Sequence, residues 1–210
     1  PHSYCVAKKD RLFHESLLDS NIILPDGSGI TLAIKVLYGN TVHKYSGPEM
    51  HLDILCIANK EGKKVFYLGS SPKTLKLIEE RLKVEYPNIN VGFYSPPYKD
   101  EFTDQENQRM IDAVNEFNPD FLFVGMTAPK QEKWTYKHKK ELNAKVICSI
   151  GAAFDFFAGT VKLPPQWIID IHLQWLHRLC KEPKRMWRRN FISTPIFLWD
   201  ILLYKLKIKK

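Results

Sequence analysis

Short apolar runs alternate with amphipathic stretches in the middle of the chain, and this alternation predicts strands and helices in turn. Lys64–Leu68, Phe121–Gly125 and Lys145–Ile150 are nearly continuous in apolar residues, as is typical of strands covered on both faces. A further strand is predicted at Ile89–Tyr94, and helical patterns separate the strands. The alternation predicts an α/β fold, Rossmann-like, with a mainly parallel sheet flanked by helices.

Helix start signals support this order of elements. Ser71 can cap a helix whose first residue is Pro72, a position that suits proline because its missing N–H is not needed there. Thr103 and Glu106 have the spacing of a capping box, which predicts a helix over residues 104–117.

The outer parts of the chain have weaker patterns. Residues 8–20 are predicted to be helical, and residues 21–24 to form a short buried strand that ends at a Pro-Asp-Gly turn. The apolar residues of positions 28–42 fit both the helical and the strand periodicity, so the pattern does not decide between a helix and a strand there. A helix is also predicted over about residues 129–142.

Composition indicates a folded protein with either one sizeable core or one core plus a small appendage. The chain has 210 residues, of which 44% are hydrophobic and 26% charged. The four cysteines are far apart and form no CxxC pair, which favours a reducing compartment over disulfides or zinc, and Cys148 is predicted to be a core residue. Because the sequence does not begin with Met, we expect it to start inside a longer protein.

The positive charge is concentrated at the C-terminus. The net charge is +8, and residues 178–210 contain ten basic and two acidic residues, so residues 1–177 are neutral overall. The same segment carries aromatic residues among the basic ones. We therefore predict a core over residues 1–177 and a basic, aromatic, amphipathic helical appendage over residues 178–210. Such a surface suits an anionic membrane interface, although nucleic acid would also attract it.

Small residues follow three of the predicted strands. The segments are Gly69–Ser71, Gly125–Thr127 and Gly151–Ala153. Ligands of parallel α/β sheets bind beyond the carboxyl ends of strands, and small residues let backbone N–H groups approach a phosphate. One glycine after a strand is usually only a turn, but three together favour a phosphate-bearing ligand.

Several familiar motifs are absent from the sequence. It has neither GxGxxG nor the P-loop pattern, which argues against an NAD enzyme or an NTPase. It has no Asp-x-Asp pair, and its seven histidines lack metal-ligand spacing. A mechanism without metal or cofactor is therefore favoured.

The segment Gly125–Trp134, with Pro129–Glu132 at its centre, resembles the Pro-Lys-Gln-Glu signature of the WecG/TagA/CpsF glycosyltransferases. Five further segments resemble elements of that family in the same order: Leu24–Gly27, Lys44–Gly47, Phe66–Gly69, Gly151–Gly159 and Leu173–Arg185. The resemblance covers nearly the whole chain.

The chain departs from the family pattern at several positions. Lys44 stands where the family usually has Arg, which removes a bidentate fork, and Gln174 stands where it usually has Glu. Residues 163–165 are Leu-Pro-Pro instead of Arg-Ala-Pro. The family's Thr-Asn element would lie before Pro1, so we expect part of the active site to be missing from this sequence.

The resemblance implies an inverting, metal-independent transferase that moves a sugar from a UDP-sugar to a polyprenyl-diphosphate-linked sugar. The sugar is an N-acetylmannosamine-like residue or a hexose, and the product enters cell-surface polysaccharide or teichoic acid. Such an enzyme would be cytoplasmic and peripheral on the inner face of the plasma membrane. The partners could also include further copies of the same chain in a homo-oligomer.

The resemblance also implies roles for particular residues. Asp26 would be the general base, although a Pro-Asp-Gly turn explains an Asp equally well. Arg178, Arg185 and Arg188 would close over the diphosphates. Donor-binding positions would be Lys44, Gly69, Ser70, Gly125, Thr127, Lys130, Gln131, Gly151 and Asp155.

Three of these assignments have plain structural alternatives. Asp155 could bind ribose or uracil, or cap the turn that follows it. Glu132 is more simply explained as a first-turn acid favoured by the helix dipole. Gln131 could be an ordinary surface residue of its helix.

Two other functions are possible. A nucleic-acid-binding module would explain the basic tail and predicts salt-sensitive binding without sugar transfer. A nucleotide-sugar epimerase would need NAD, for which the fingerprint is missing. The transferase interpretation predicts no nucleic-acid partner.

Overall fold

The computed structural model describes residues 1–161, 165, 176, 179–180 and 183–206. The chain forms two compact units, Gly47–Lys162 and the combination of Pro1–Ser46 with Leu163–Lys210. We call them the sheet unit and the helical unit. The boundary predicted between residues 177 and 178 lies outside the described residues and stays a prediction. The association of residues 1–46 with the C-terminal segment was not visible in the sequence pattern.

The sheet unit has the predicted alternation of helices and parallel strands, which confirms the α/β fold. Its elements in chain order are α4 (Gly47–Glu61), β1 (Lys64–Gly69), α5 (Pro72–Glu85), β2 (Asn90–Tyr94), α6 (Asp104–Phe117), β3 (Phe121–Gly125), α7 (Lys130–His138), β4 (Val146–Ser149) and α8 (Ala153–Phe157).

The order of the strands in the sheet is β2-β1-β3-β4, and all neighbouring pairs are parallel. The chain leaves β1 through α5 toward β2, and α6 then carries it back past β1 to β3. The connections that follow β1 and β3 therefore leave in opposite directions. The last residues of these two strands, Gly69 and Gly125, are register partners. Open α/β sheets bind ligands in the crevice at such a reversal.

Alternate strand residues fill two apolar layers, one on each face of the sheet. Val65, Tyr67 and Phe123 pack with apolar residues of α4, α5 and α8. Phe66 and Leu122 lie on the opposite face, against α6 and α7. The strands are thus covered on both faces, as their continuous apolar runs predicted.

The predicted helix caps are present in the structure. The Thr74 N–H donates to Oγ of Ser71 over 3.1 Å, and Pro72 is the first residue of α5. The Glu106 N–H donates to Oγ1 of Thr103, while the Thr103 N–H donates to the Glu106 carboxylate. Both helices therefore start where their sequences indicated.

A histidine and a tyrosine form a buried polar pair in the core. Nε2 of His51 on α4 lies 2.7 Å from the hydroxyl oxygen of Tyr67 on β1, and both side chains are almost fully buried. The rings of Phe123 and Phe157 pack edge-on against the imidazole. Burial among these rings, with a smaller contribution from the nearby Arg81 charge, lowers the pKa of His51 to about 3.

This lowered pKa predicts a loss of stability in mild acid. Below about pH 6.5 the unfolded chain binds a proton on His51 that the folded protein does not, so the free energy of unfolding falls by about 1.4 kcal/mol per pH unit. The expected loss from this group is about 2 kcal/mol at pH 5. Urea unfolding at several pH values between 7 and 5 measures it.

The matched variants for this test are His51→Gln and His14→Gln. The glutamine at position 51 can still accept from Tyr67 but does not titrate, so this variant should lose most of the pH dependence. His14 is an exposed residue of the helical unit, and His14→Gln controls for the loss of a histidine as such. A His51 ring that takes up a proton above pH 5 in an NMR titration of the wild-type protein would contradict the assignment.

The helical unit contains short helices from both ends of the chain. They are α1 (His2–Ala7), α2 (Arg11–Leu18), α3 (Ser28–Tyr38), α9 (Pro183–Trp187), a π-helical turn (Arg188–Ser193) and α10 (Thr194–Lys205). Pro183 begins α9, which is one of the two arrangements that a proline at this position allows.

Two predictions for the N-terminal segment need correction. The predicted helix over residues 8–20 is shorter, because the Asp10 side chain accepts from the Phe13 N–H and starts α2 at Arg11. The buried strand predicted over residues 21–24 is wrong. Ile22 and Ile23 are 76% and 62% exposed, and no described strand pairs with this segment. The ambiguous residues 28–38 are helical.

A buried carboxylate joins the two ends of the chain within the helical unit. Asp200 of α10 accepts from the Tyr4 hydroxyl over 2.9 Å and from Nζ of Lys8 over 2.5 Å. Phe197, one turn earlier, packs edge-on against the Tyr4 ring. Burial, followed by the contact with Asp200, raises the pKa of Tyr4 to about 12.

Candidate active site

The carboxyl ends of β1 and β3 approach each other closely through their glycines. The Ser70 N–H donates to the Gly125 carbonyl oxygen over 3.0 Å, and Ser70 has a positive φ of 62°. The Ser95 hydroxyl, just after β2, donates to the Ser70 carbonyl over 2.8 Å. The turn after β1 is thus held from both sides, with Ser70 partly accessible at the edge of the sheet.

There is no space for a side chain at this junction. A Cβ added to Gly69, whose φ is 122°, would lie 2.4 Å from the Gly125 carbonyl oxygen. One added to Gly125 would lie 2.4 Å from the Phe154 ring. The two glycines therefore allow the backbones to close together at the point where the strand order reverses.

The start of α7 faces the same edge. After the exposed Thr127 comes a cis peptide bond between Ala128 and Pro129, and the Lys130 N–H donates to the Thr127 carbonyl over 2.9 Å. The first turn of α7 thus begins directly beyond β3. Free N–H groups at a helix start favour a negatively charged ligand.

Gln131 is the buried polar residue of this turn. Its side chain is 4% exposed, and a Cβ added to Gly151 at the end of β4 would lie 2.9 Å from its Oε1. Nε2 of Gln131 donates to Oε1 of Glu132 over 2.9 Å. Oε1 of Gln131 is itself buried and has no hydrogen-bond partner within the described protein. Burial raises the pKa of Glu132 above its usual value.

Lys130 is directed to a neighbouring loop. Its Nζ donates to the Lys99 carbonyl oxygen and lies 3.9 Å from the centre of the Phe102 ring. Partial burial lowers its pKa. These contacts fix the loop between β2 and α6, and a contact of Lys130 with substrate stays a prediction.

Asp155, on the short helix α8, makes the capping contact that was one of its two predicted roles. The Thr160 hydroxyl donates to the Asp155 carbonyl oxygen over 3.1 Å and to its Oδ1 over 3.2 Å. The side chain is half-buried. A role for Asp155 in binding ribose or uracil stays a prediction.

Within the helical unit, Asp26 and Lys44 lie on adjacent backbone segments. The Tyr45 N–H donates to the Pro25 carbonyl oxygen over 3.3 Å, which joins the segment after Lys44 to the turn that contains Asp26. The Asp26 side chain is exposed, immediately before α3. Two residues 18 positions apart in sequence are thus brought together.

The predicted arginines are described only in part. Arg178 lies outside the described residues, and of Arg185 the structure describes the backbone within α9. Arg188 is exposed at the start of the π-helical turn. Their predicted contacts with diphosphates stay predictions.

The whole sequence is similar to that of one known protein family. The model of the glycosyl transferase WecG/TagA/CpsF family matches residues 1–210. The chain belongs to this family. It is therefore a glycosyltransferase, and the resemblance noted at Pro129–Glu132 is confirmed over the full sequence.

Curated relatives carry a more specific name. A protein of Bacillus subtilis (strain 168) is 32% identical over 202 residues, which cover 96% of this chain and 76% of the relative. A protein of Staphylococcus aureus (strain MW2) is 30% identical over 204 residues, which cover 97% of this chain and 78% of the relative. Both are named N-acetylglucosaminyldiphosphoundecaprenol N-acetyl-beta-D-mannosaminyltransferase.

The sequence elements that resemble the family are distributed over both units. The turn at Asp26 and the segment at Lys44 belong to the helical unit, whereas the glycine strand ends and the start of α7 belong to the sheet unit. Among the described residues, no helix has both the length and the apolar character needed to cross a membrane.

Two residues with a place in the site were not predicted. Ser95 follows β2 in the same way that Ser70 follows β1, so the pattern of a small residue after a strand also marks this position. Glu132 was explained by the helix dipole alone. Its side chain accepts from Gln131, and the sequence gives no signal for this contact.

Proposed function

We propose that this glycosyltransferase moves an N-acetylmannosamine-like sugar, or a hexose, from a UDP-sugar to a polyprenyl-diphosphate-linked sugar. The observation that carries the proposal is the reversal of strand order at the glycine-bearing ends of β1 and β3, in a chain whose relatives are named for such an acceptor. The names of those relatives favour N-acetylmannosamine as the sugar and an N-acetylglucosaminyl-diphosphate lipid as the acceptor.

The donor nucleotide would bind in the sheet unit. The turn after β1 and the first turn of α7 lie at this edge, and the small residues Gly69, Ser70, Gly125 and Thr127 would permit a phosphate to approach the backbone closely. Gly151, at the end of β4, extends the same edge. Because the sequence offers no Asp-x-Asp pair to hold a divalent ion, we propose that the reaction needs no metal.

The reaction would be a single displacement that inverts the anomeric centre. The acceptor hydroxyl oxygen forms a bond with the anomeric carbon as the bond from that carbon to the UDP oxygen breaks. The hydroxyl proton goes to the Asp26 carboxylate. Lys44 and the arginines at positions 178, 185 and 188 would offset the charge that develops on the departing diphosphate.

We propose that the C-terminal segment holds the enzyme on the inner face of the membrane. The end of α9, the π-helical turn and α10 expose several large apolar side chains, among them Trp187 and Trp199, which are 57% and 61% exposed. Exposed aromatic side chains next to lysine and arginine are suited to the headgroup region of anionic lipid. The lipid-linked acceptor would be reached from that surface.

Replacing Trp199 by Glu is expected to weaken binding to phosphatidylglycerol vesicles severalfold, since the change removes an exposed ring and adds a negative charge. Vesicle co-sedimentation measures this binding. The control is Tyr98→Glu, which changes a fully exposed aromatic residue of the sheet unit. Equal binding of both variants to the vesicles would contradict the proposal. If a homo-oligomer covers the apolar surface instead, light scattering should give a molar mass that is a multiple of that of the single chain.

The transfer reaction is tested by UDP release from a panel of UDP-sugars, with and without a polyprenyl-diphosphate-sugar acceptor in liposomes. We expect release that requires both one donor and the lipid, and NMR of the product should show the inverted anomeric configuration. Activity that persists in chelator supports metal independence. No release with any donor, together with salt-sensitive binding of nucleic acid, would contradict the proposed function.

A further inference from the structure

We propose that Gly29 is a positioning residue for the transfer reaction. Because it carries no side chain, the start of α1 and the inner side of α10 both pack against the first turn of α3. This packing holds the Asp26 carboxylate at a set distance from the lipid surface that α10 meets. The inference rests on the proposed function, in which Asp26 is the base and α10 binds the membrane.

The backbone around Asp26 ties its carboxylate to the position of α3. Asp26 lies two residues before Ser28, the first residue of that helix. On one side, its own N–H donates to the Leu24 carbonyl oxygen over 2.9 Å. On the other side, the Gly27 carbonyl oxygen accepts from the Ile30 N–H over 2.8 Å and closes the first turn of the helix. A displacement of that turn therefore displaces the base.

Two rings lie against Gly29 on the first turn of α3. A Cβ added to Gly29 would lie 2.7 Å from Cγ of Pro1 and 3.7 Å from Cε1 of Phe197. The first distance is shorter than real Cβ contacts, and the proline ring is too rigid to turn away. Alanine at this position would thus push the turn away from its supports, although alanine suits a helix better than glycine does.

The two rings beside Gly29 are held together by α1. The Pro1 carbonyl oxygen accepts from the Cys5 N–H over 3.1 Å, which ties Pro1 to the first turn of α1. The Tyr4 ring of α1 packs edge-on against Phe197, with the ring centroids 5.3 Å apart. The base-bearing turn, α1 and α10 therefore form one packed group within the helical unit.

The turn that precedes α10 is fastened to α1 as well. Nδ1 of His2 lies 3.0 Å from Oγ of Ser193, whose side chain is buried. Sγ of Cys5 donates to the Ser193 carbonyl oxygen over 3.3 Å. These contacts hold the start of α10 against α1, so α10 and the start of α1 keep their separation on either side of the first turn of α3.

The helix that supports the base also carries the surface that we assign to lipid. Phe197 is 4% exposed and lies against α3, whereas Trp199 is 61% exposed. Residues two positions apart lie on nearly opposite sides of a helix, so α10 places about one helix diameter, roughly 10 Å, between the base-bearing turn and the lipid. The acceptor is anchored in the lipid by its polyprenyl chain, so its hydroxyl group also lies at a fixed height. Gly29 lets the base reach that height.

The first test measures kcat of Gly29→Ala in the full-length protein, with UDP-N-acetylmannosamine as the donor. The acceptor is N-acetylglucosamine linked to undecaprenyl diphosphate in phosphatidylglycerol vesicles. We expect kcat to fall at least about tenfold with no change in the KM for the donor, because a small displacement of a catalytic group slows the reaction steeply. The matched control is Ser28→Ala, an exposed neighbour in the same turn, which should keep the wild-type kcat.

Removing the atoms that overlap with the new methyl group should restore the reaction. Pro1→Ala deletes Cγ and Cδ of the proline ring, so Gly29→Ala combined with Pro1→Ala is expected to recover most of the lost kcat. A double variant that is folded by urea unfolding but remains as slow as Gly29→Ala would refute the inference, because the loss would not arise from this contact.

The second test replaces the vesicle acceptor by N-acetylglucosamine linked to farnesyl diphosphate, which is free in solution. A soluble acceptor can approach the base at any height, so the kcat of Gly29→Ala should stay within about twofold of the wild-type value. Phe197→Leu withdraws the support on the other side without overlap and should show the same dependence on the vesicle. An equal loss with both acceptors would overturn the inference, since a turn that is merely distorted fails with either.

These measurements distinguish a failure of the inference from a failure of the proposed function. If the wild-type protein transfers the sugar and Gly29→Ala transfers it equally fast in vesicles, Gly29 has no positioning role. If the wild-type protein releases UDP with neither acceptor, the proposed function is wrong and the inference falls with it.

Discussion

Replacing Asp26 by Asn is expected to lower kcat by at least about 100-fold, because the acceptor hydroxyl would lose the base that removes its proton. Asparagine adopts the same turn conformations as aspartate. The turn would therefore keep its backbone contacts, in which the Asp26 N–H donates to the Leu24 carbonyl and the Pro25 carbonyl accepts from Tyr45. The substitution separates catalysis from turn formation, the two explanations that the sequence left open.

Three measurements make this test specific. Turnover is followed with saturating donor and lipid acceptor, UDP binding by calorimetry, and stability by urea unfolding. Turnover should fall while UDP binding stays at the wild-type level, and urea unfolding shows whether the variant is still folded. The control is Asp19→Asn, another exposed aspartate of the helical unit, which should leave turnover as it is. An Asp26→Asn variant with wild-type turnover would reduce Asp26 to a turn residue and require a different base.

Replacing Gly69 by Ala is expected to destabilise the protein by about 3 kcal/mol or more. The φ of 122° at Gly69 is outside the regions open to other residues, and the new Cβ would lie 2.4 Å from the Gly125 carbonyl oxygen. That oxygen belongs to the backbone of a central strand and cannot move without disturbing the sheet. Equilibrium unfolding in urea measures the loss.

Gly62→Ala provides the matched control, because it separates conformational strain from steric overlap. Gly62 also has a positive φ, 62°, but nothing lies within 4 Å of an added Cβ. Its replacement should cost only about 1 kcal/mol, the penalty of the left-handed conformation. Similar losses in the two variants would mean that the strand ends of β1 and β3 are not as tightly apposed as described.

The sheet unit could be predicted from the sequence because its signals are local. The apolar run Phe121–Gly125 and the capping box at Thr103 specify a strand and a helix start without reference to distant residues. The glycines after the strands could likewise be placed at one edge of the sheet, since parallel strands have their carboxyl ends on the same side.

The helical unit was harder to predict because its structure depends on contacts between distant residues. The apolar segment Asn21–Leu24 looks like a strand but finds no partner in the described structure, and pairing is a property of the whole sheet. The contact of Asp200 with Tyr4 and Lys8 joins residues almost 200 positions apart. In the site, the burial of Gln131 likewise depends on tertiary packing, which periodicity does not report.

Asp200 also sets the rotation of α10 about its own axis. This helix has apolar residues on nearly all sides, so hydrophobicity alone would favour many rotational settings about equally. The bonds that Asp200 accepts from Tyr4 and Lys8 select one of them, since a shift by one residue turns a helix by roughly 100° and would break both. One carboxylate thereby decides which of the aromatic side chains of α10 remain on the outside of the protein.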